Sequence, residues 1–216
     1  MNNALSAVVF DMDGVLLDSE AVYEKAWQAV ALQMNLSDID AVHTQVLGMS
    51  EEGAMKILSE HYGPSFNGNA FWKETTDWAF AYEAQHGVPV KSGIPEALEY
   101  LKRKGYALAV ASSSARNIVE ANLKSCGLFS YFDVSICGDE VKRAKPAPQI
   151  YQTACEHLGV ACNLAVAIED SKSGIESAWR AGLRCIMIPD RIPADRVSIE
   201  RSWKVCTSAK ELISLL

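Results

Sequence analysis

Five short apolar runs recur along the chain, at Ala7–Phe10, Ala107–Ala111, Val134–Ile136, 164–168 and 185–188. They are rich in alanine, valine and isoleucine, and each is too short to be a buried helix. Their apolarity is continuous instead of alternating, as in parallel strands covered on both faces. Helical patterns lie between them, at 94–104, 117–125, 148–158 and 173–181, with Gly105, Gly127, Gly159 and Gly182 placed as stops. Strand and helix alternating in this way predict an α/β fold: a doubly wound, mostly parallel sheet with right-handed crossovers.

Residues 17–88 interrupt the alternation. They hold no strand-like run, and helical stretches fall at 21–33, 51–61 and 71–85. Trp27, Tyr62, Phe66, Phe71, Trp72, Trp78, Phe80 and Tyr82 cluster there and read as the core of a helical bundle. The expected organisation is a core of residues 1–16 and 89–216 with an all-helical insertion at 17–88. The tail is expected to add a short strand near 203–206 and a last helix at 209–215.

With 216 residues the chain can build a sizeable core plus a smaller inserted unit. Its formal charge of −7 argues against a general nucleic-acid binder and requires local positive groups wherever an anion binds. Cys126, Cys137, Cys155, Cys162, Cys185 and Cys206 form no C-x-x-C pair and read as reduced thiols of a cytoplasmic protein. The four histidines have no ligand-like spacing. The N-terminal residues lack the pattern of a signal peptide, and no apolar run approaches the ~18 residues of a membrane span. The expectation is a monomer or weak dimer that binds neither nucleic acid nor membrane.

Polar chemistry gathers where predicted strands end. The first runs into Asp11-Met12-Asp13-Gly14, the second into Ser112-Ser113-Ser114, and 164–168 into Glu169-Asp170. Ligands of open parallel sheets bind beyond the carboxyl ends of the strands, so these ends would converge if their strands are neighbours. Asp11 and Asp13, two apart on extended chain, point the same way, and Gly14 lets the chain turn off. Close carboxylates need a cation between them; magnesium, which prefers hard oxygens, suits them, with Asp170 completing the set and Glu169 as a ligand or just behind. Acids after strands also cap helices or form Asp-Gly turns, which remains a reading of these residues. A calcium loop of the helix–loop–helix type fits worse: Val15 and Val22 fall at ligand positions and a strand precedes. Ser112–Ser114 offers hydroxyls and N–H groups at a helix start, where a phosphate or an ordinary cap would both fit. Lys145 is unremarked alone but is the cation that a phosphate pocket in an acidic protein requires.

Together these elements resemble the haloacid dehalogenase-like superfamily, in the branch with a helical cap inserted after the first motif. Asp11-Met12-Asp13-Gly14 matches the first motif, Ser112 the second, Lys145 the third, and Glu169-Asp170 within Glu169-Asp170-Ser171-Lys172-Ser173-Gly174 the fourth. The resemblance covers nearly the whole chain and is closest to beta-phosphoglucomutases and small sugar-phosphate phosphatases. It implies a Rossmann-like core, Asp11 as a nucleophile forming an aspartyl-phosphate, and Asp13 as general acid and base. Magnesium would be held by Asp11, Asp170 and the Asp13 carbonyl. Ser112, with the adjacent Ser113, and Lys145 would hold phosphoryl oxygens.

Within that group the sequence favours hydrolysis. Dehalogenases resemble this fold but lack an acid matching Asp13. Lys25, Lys56 and Lys73 could suggest phosphonate chemistry, but each reads as a solvated helix position. Beta-phosphoglucomutases carry a cap histidine where Tyr23 stands here, and an arginine after a Gly-x-Ser where Gly48-Met49-Ser50 is followed by Glu51. Glu51 would repel a second phosphate. The expected activity is therefore magnesium-dependent hydrolysis of a small phosphorylated metabolite, a sugar or polyol phosphate. A beta-phosphoglucomutase is the alternative, and a non-catalytic binding module on the same fold a more distant one.

Overall fold

A computed structural model describes residues 5–47, 49 and 51–216. The strands are β1 (Ala7–Phe10), β2 (Ala107–Ala111), β3 (Val134–Ile136), β4 (Ala165–Glu169), β5 (Arg184–Met187) and β6 (Lys204–Val205). The helices are α1 (Ser19–Met34), α2 (Ile39–Val46), α3 (Glu51–Tyr62), α4 (Gly68–His86), α5 (Ile94–Arg103), α6 (Arg116–Ser125), α7 (Gln149–Leu158), α8 (Lys172–Ala181), α9 (Arg196–Arg201) and α10 (Leu212–Leu215). The described residues divide into two compact units: Ser19–Val88, and the chain before it joined with Pro89–Leu216.

All strands lie in one parallel sheet of order β3-β2-β1-β4-β5-β6, the doubly wound α/β arrangement expected. β1 is central, between β2 and β4, in register Val9↔Ala109 and Val9↔Ala167. β1 and β4 are buried along their whole length. The many alanines of β2 and β4 leave room for the helices that cover the sheet: Ile150, Tyr151, Ala154, Ile175 and Ala178 pack on Ala109, Ala111, Ala165 and Ala167. Fully burying one isoleucine of this layer contributes about 1.5–3 kcal/mol. Gly105, Gly127, Gly159 and Gly182 all take positive φ at the helix ends where the sequence places stops.

Two elements of the tail are shorter than their patterns predict. The strand expected at 203–206 is only Lys204–Val205, and the last helix opens with a 3-10 turn at Ala209–Glu211. A 3-10 turn at Cys162–Leu164 likewise delays β4 by one residue, so that Glu169 is its last residue. Outside the sheet, β1's exit is fixed by backbone bonds. Gly14 N–H donates to Leu17 O, and the outgoing chain pairs with the returning one through Leu17 and Val90.

The helical unit is built on aromatics. Val22, Ala26, Trp27, Val30 and Ala31 form one buried stripe of α1. Trp27 packs edge-on to Phe71 at 5.0 Å, and Val42, Leu58 and Phe71 complete the core. Phe80 departs from the expected bundle core: it is 43% exposed, on the outer side of α4. Among the described residues no helix is long and apolar enough to cross a membrane.

Candidate active site

The register brings the carboxyl ends of β1, β2 and β4 side by side, and with them Asp11, Ser112 and Glu169. Asp11 N–H donates to Ile168 O and Ser112 N–H to Ile136 O, so each backbone is still held by the sheet where the side chain begins to act. Asp11 is 7% exposed, while Ser112 and Glu169 are fully buried. Burying such groups is costly without partners.

Lys145 supplies the central partner. Its ammonium donates to Asp11 Oδ1 (2.5 Å), Glu169 Oε1 (2.7 Å) and Ala111 O (2.9 Å), using all three N–H groups. Glu169 is saturated: Oε1 also accepts from Tyr151 Oη–H at 2.6 Å, and Oε2 accepts from the Ser171 N–H and hydroxyl at 3.3 and 3.1 Å. Ser171 in turn caps α8 by accepting from Gly174 N–H at 3.0 Å. Gly174 is needed there, because a Cβ would fall 1.9 Å from the Glu169 carboxylate. Gly14, at φ +80°, plays the matching part for Asp170: a Cβ would fall 2.3 Å from its Oδ2.

Asp170 differs from its neighbour. No other described residue donates a hydrogen bond to its carboxylate, and burial, aided by Glu169, pushes that carboxyl up to about 8. Burial also holds Asp11 well above the ordinary carboxylate range, although Lys145 draws it down. The Lys145 ammonium resists its own burial because Asp11 and Glu169 favour the charged form. Asp11, Glu169 and Asp170 each offer an oxygen within 4.8 Å of the others, and among the described residues one lysine, Lys145, pairs with them. The deficit of positive charge and the all-oxygen donor set fit a hard divalent cation.

Asp13 and the serine loop complete the group. Asp13 is partly buried, and its Oδ2 accepts from Ser114 Oγ–H at 3.1 Å. Ser112 Oγ accepts from Ser114 N–H at 3.1 Å, and Ser113 is exposed. These serines do not cap α6, whose N-cap is Ala115 with no side-chain bond. Sequence reasoning passed over Tyr151, and it read Ser114 only as part of the Ser112–Ser114 stretch and Ser171 only as part of the fourth motif, without their bonds to Asp13 and Glu169. Tyr151 follows the lysine loop closely in α7, but a tyrosine in a helix carries no signal until its hydroxyl is seen on Glu169. The remaining candidates lie in the helical unit: Tyr23 half-buried in α1, and Glu51 exposed at the first turn of α3. Gly48 lies outside the described residues.

A parallel α/β sheet with an aspartate-lysine-carboxylate group at the ends of its central strands defines a class, and comparison with known proteins gives it a family. Residues 8–188 match the family model of the haloacid dehalogenase-like hydrolases, and the chain belongs to that family. It is 35% identical over 182 residues to the phosphorylated carbohydrates phosphatase of Thermotoga maritima, covering 84% of each chain. It is 33% identical over 181 residues to the validoxylamine A 7'-phosphate phosphatase of Streptomyces hygroscopicus subsp. limoneus, covering 82% of this chain and 83% of that one. Its structure superposes with a TM-score of 0.82 on a HAD family hydrolase from Deinococcus radiodurans R1 with bound phosphate and sodium, at 26% identity and over 98% and 94% of the two chains.

Proposed function

We propose that this protein is a magnesium-dependent phosphatase that hydrolyses a small sugar or polyol phosphate through an aspartyl-phosphate on Asp11. The observation that carries the reading is the Asp11 carboxylate, buried at the end of the central strand and gripped by Lys145 beside Asp170. The names of the relatives at 35% and 33% identity support the same class of substrate.

In the proposed reaction an Asp11 oxygen attacks phosphorus while the bond from phosphorus to the ester oxygen breaks. Asp13, as a carboxylic acid, gives its proton to the leaving oxygen, which departs as the alcohol. Asp13, now a carboxylate, then takes a proton from the water that attacks the acyl phosphate. Inorganic phosphate leaves and Asp11 is regenerated. Lys145 already donates to Asp11 Oδ1, so a phosphoryl group on Asp11 arrives within its reach, and Ser112, at the end of the neighbouring strand, is assigned with Lys145 to hold its oxygens. Asp11, Asp170 and the Asp13 carbonyl are the residues assigned to hold magnesium. Glu169, saturated by Lys145, Tyr151 and Ser171, is assigned to orient the lysine. Bound magnesium supplies positive charge to the phosphoryl oxygens and lets Asp11 and Asp170 stay ionised together.

The helical segment 17–88 is assigned as a cap that selects substrates, with Tyr23, Gly48 and Glu51 as its specificity positions. Glu51 disfavours a substrate with a second phosphate, and so disfavours phosphoglucomutase activity. We place the protein in the cytoplasm as a monomer or weak dimer, in line with its six free cysteines. The test is phosphate release over a panel of phosphorylated metabolites with and without magnesium. Release from sugar or polyol monophosphates that stops on chelation is expected. Conversion of beta-glucose 1-phosphate to the 6-phosphate without net release would contradict the reading.

A further inference from the structure

Asp13 has to deliver and recover a proton at a fixed point, and one side chain among the described residues holds its carboxylate: Ser114, 101 positions away in sequence. The Ser114 hydroxyl donates to Asp13 Oδ2 at 3.1 Å, leaving Oδ1 for the transferred proton. A lone serine hydroxyl is a rotor, so its aim depends on the backbone that carries it. Here both backbone polar groups of Ser114 are engaged. Its N–H donates to Ser112 Oγ at 3.1 Å, and its carbonyl accepts from Gly138 N–H at 2.9 Å.

The segment behind the serine loop is built for this close approach. A Cβ at position 138 would lie 2.0 Å from Ser113 O, so only glycine admits the contact. Arg116 then locks the two loops. Its Nε and Nη2 donate to Glu140 at 2.7 Å each, its backbone N–H donates to Asp139 Oδ1 at 3.1 Å, and Nη2 also donates to Ser135 O at 2.6 Å. A paired guanidinium–carboxylate fork of this kind fixes orientation as well as distance. The Ser114 backbone is thus held on both sides, and its hydroxyl is aimed at Asp13.

We infer that Ser114 is a positioning residue for the acid–base step, holding the Asp13 carboxylate so that Oδ1 faces the leaving oxygen. The inference rests on the proposed role of Asp13. Ser114 acts through Asp13, and its removal withdraws proton delivery to a poor leaving group more than it affects a good one. An alkoxide needs the proton as the bond to phosphorus breaks, whereas 4-nitrophenolate departs without it. Displacing a catalytic group by about 1 Å costs up to about 10²-fold in rate, and loss of one orienting bond is expected to cost about tenfold.

The measurement is kcat/KM, with magnesium saturating, for glucose 6-phosphate and for 4-nitrophenyl phosphate, taken as a ratio for each variant. Asp13→Asn is expected to lower the alkyl-to-aryl ratio by about 10²-fold or more. Ser114→Ala is expected to lower it by about tenfold, and to lower it no further when added to Asp13→Asn. Ser114→Thr, which keeps the donor, should retain the parent ratio while Ser114→Val, of the same shape, should not. That pair carries the test if the alanine variant does not fold. An Asp13→Asn effect without a Ser114→Ala or Ser114→Val effect would overturn the inference and leave the role of Asp13 standing. An unchanged ratio in Asp13→Asn would overturn both.

Discussion

The two compact units differ in whether charge enters the core. In the sheet unit, Glu169 is fully buried yet every acceptor position of its carboxylate is met by Lys145, Tyr151 or Ser171. In the helical unit the core is aromatic and aliphatic, and the ion pairs Lys56–Glu60 and Lys73–Asp77 sit out in solvent. The sheet unit carries charge at cost because chemistry needs it there; the helical unit is packed like an ordinary bundle. By this contrast, helices held by apolar packing are expected to tolerate surface change, whereas the strand ends tolerate little.

Removing charge from the first unit tests that contrast most severely. Lys145→Met leaves Asp11 and Glu169 buried without their ammonium, which costs about 3–5 kcal/mol of stability and about 10²–10³-fold in turnover. Thermal melts and 4-nitrophenyl phosphate kinetics check both. Trp27→Ala, in the helical core, also removes about 3–5 kcal/mol. It should lower turnover per folded molecule far less than Lys145→Met. Equal losses of turnover would break the distinction between the units.

Protons and magnesium sharpen it further. The Asp170 carboxyl lies at about 8 against an ordinary 3.8, so the folded metal-free chain keeps a proton that the unfolded chain gives up. Stability of the chelated protein should therefore fall as pH rises between those values, with Asp11, also raised, adding to the slope. Magnesium should raise Tm more at pH 8 than at pH 5, because it competes with that proton. A magnesium effect independent of pH would remove Asp170 from the binding set.

Much of this architecture is legible in the amino-acid sequence because it depends on local signals. Continuous apolar runs mark the buried parallel strands, and glycines mark the helix ends, where they take positive φ. Asp11, Ser112 and Glu169 stand out because they follow such runs. What escaped is short or long-range. Helix α2 has only eight residues and starts after Asp38 in a left-handed conformation, without a capping side chain. Helix α9 has six residues. Tyr151, Ser114 and Gly138 acquire meaning only from partners that are distant in sequence: the Glu169 carboxylate, Asp13 and Ser113 O. A glycine that admits another backbone looks, in sequence, like any loop glycine.

The account turns on Asp11 as the atom donor to phosphorus, and the most direct measurement is a rapid acid quench of the enzyme with a substrate and magnesium, followed by peptide mass analysis. A phosphoryl group on the peptide containing Asp11, absent from the Asp11→Asn variant along with about 10⁴-fold or more of the turnover, is the predicted result. Magnesium-dependent phosphate release retained by folded Asp11→Asn, or a phosphoryl group found on another residue, would contradict it.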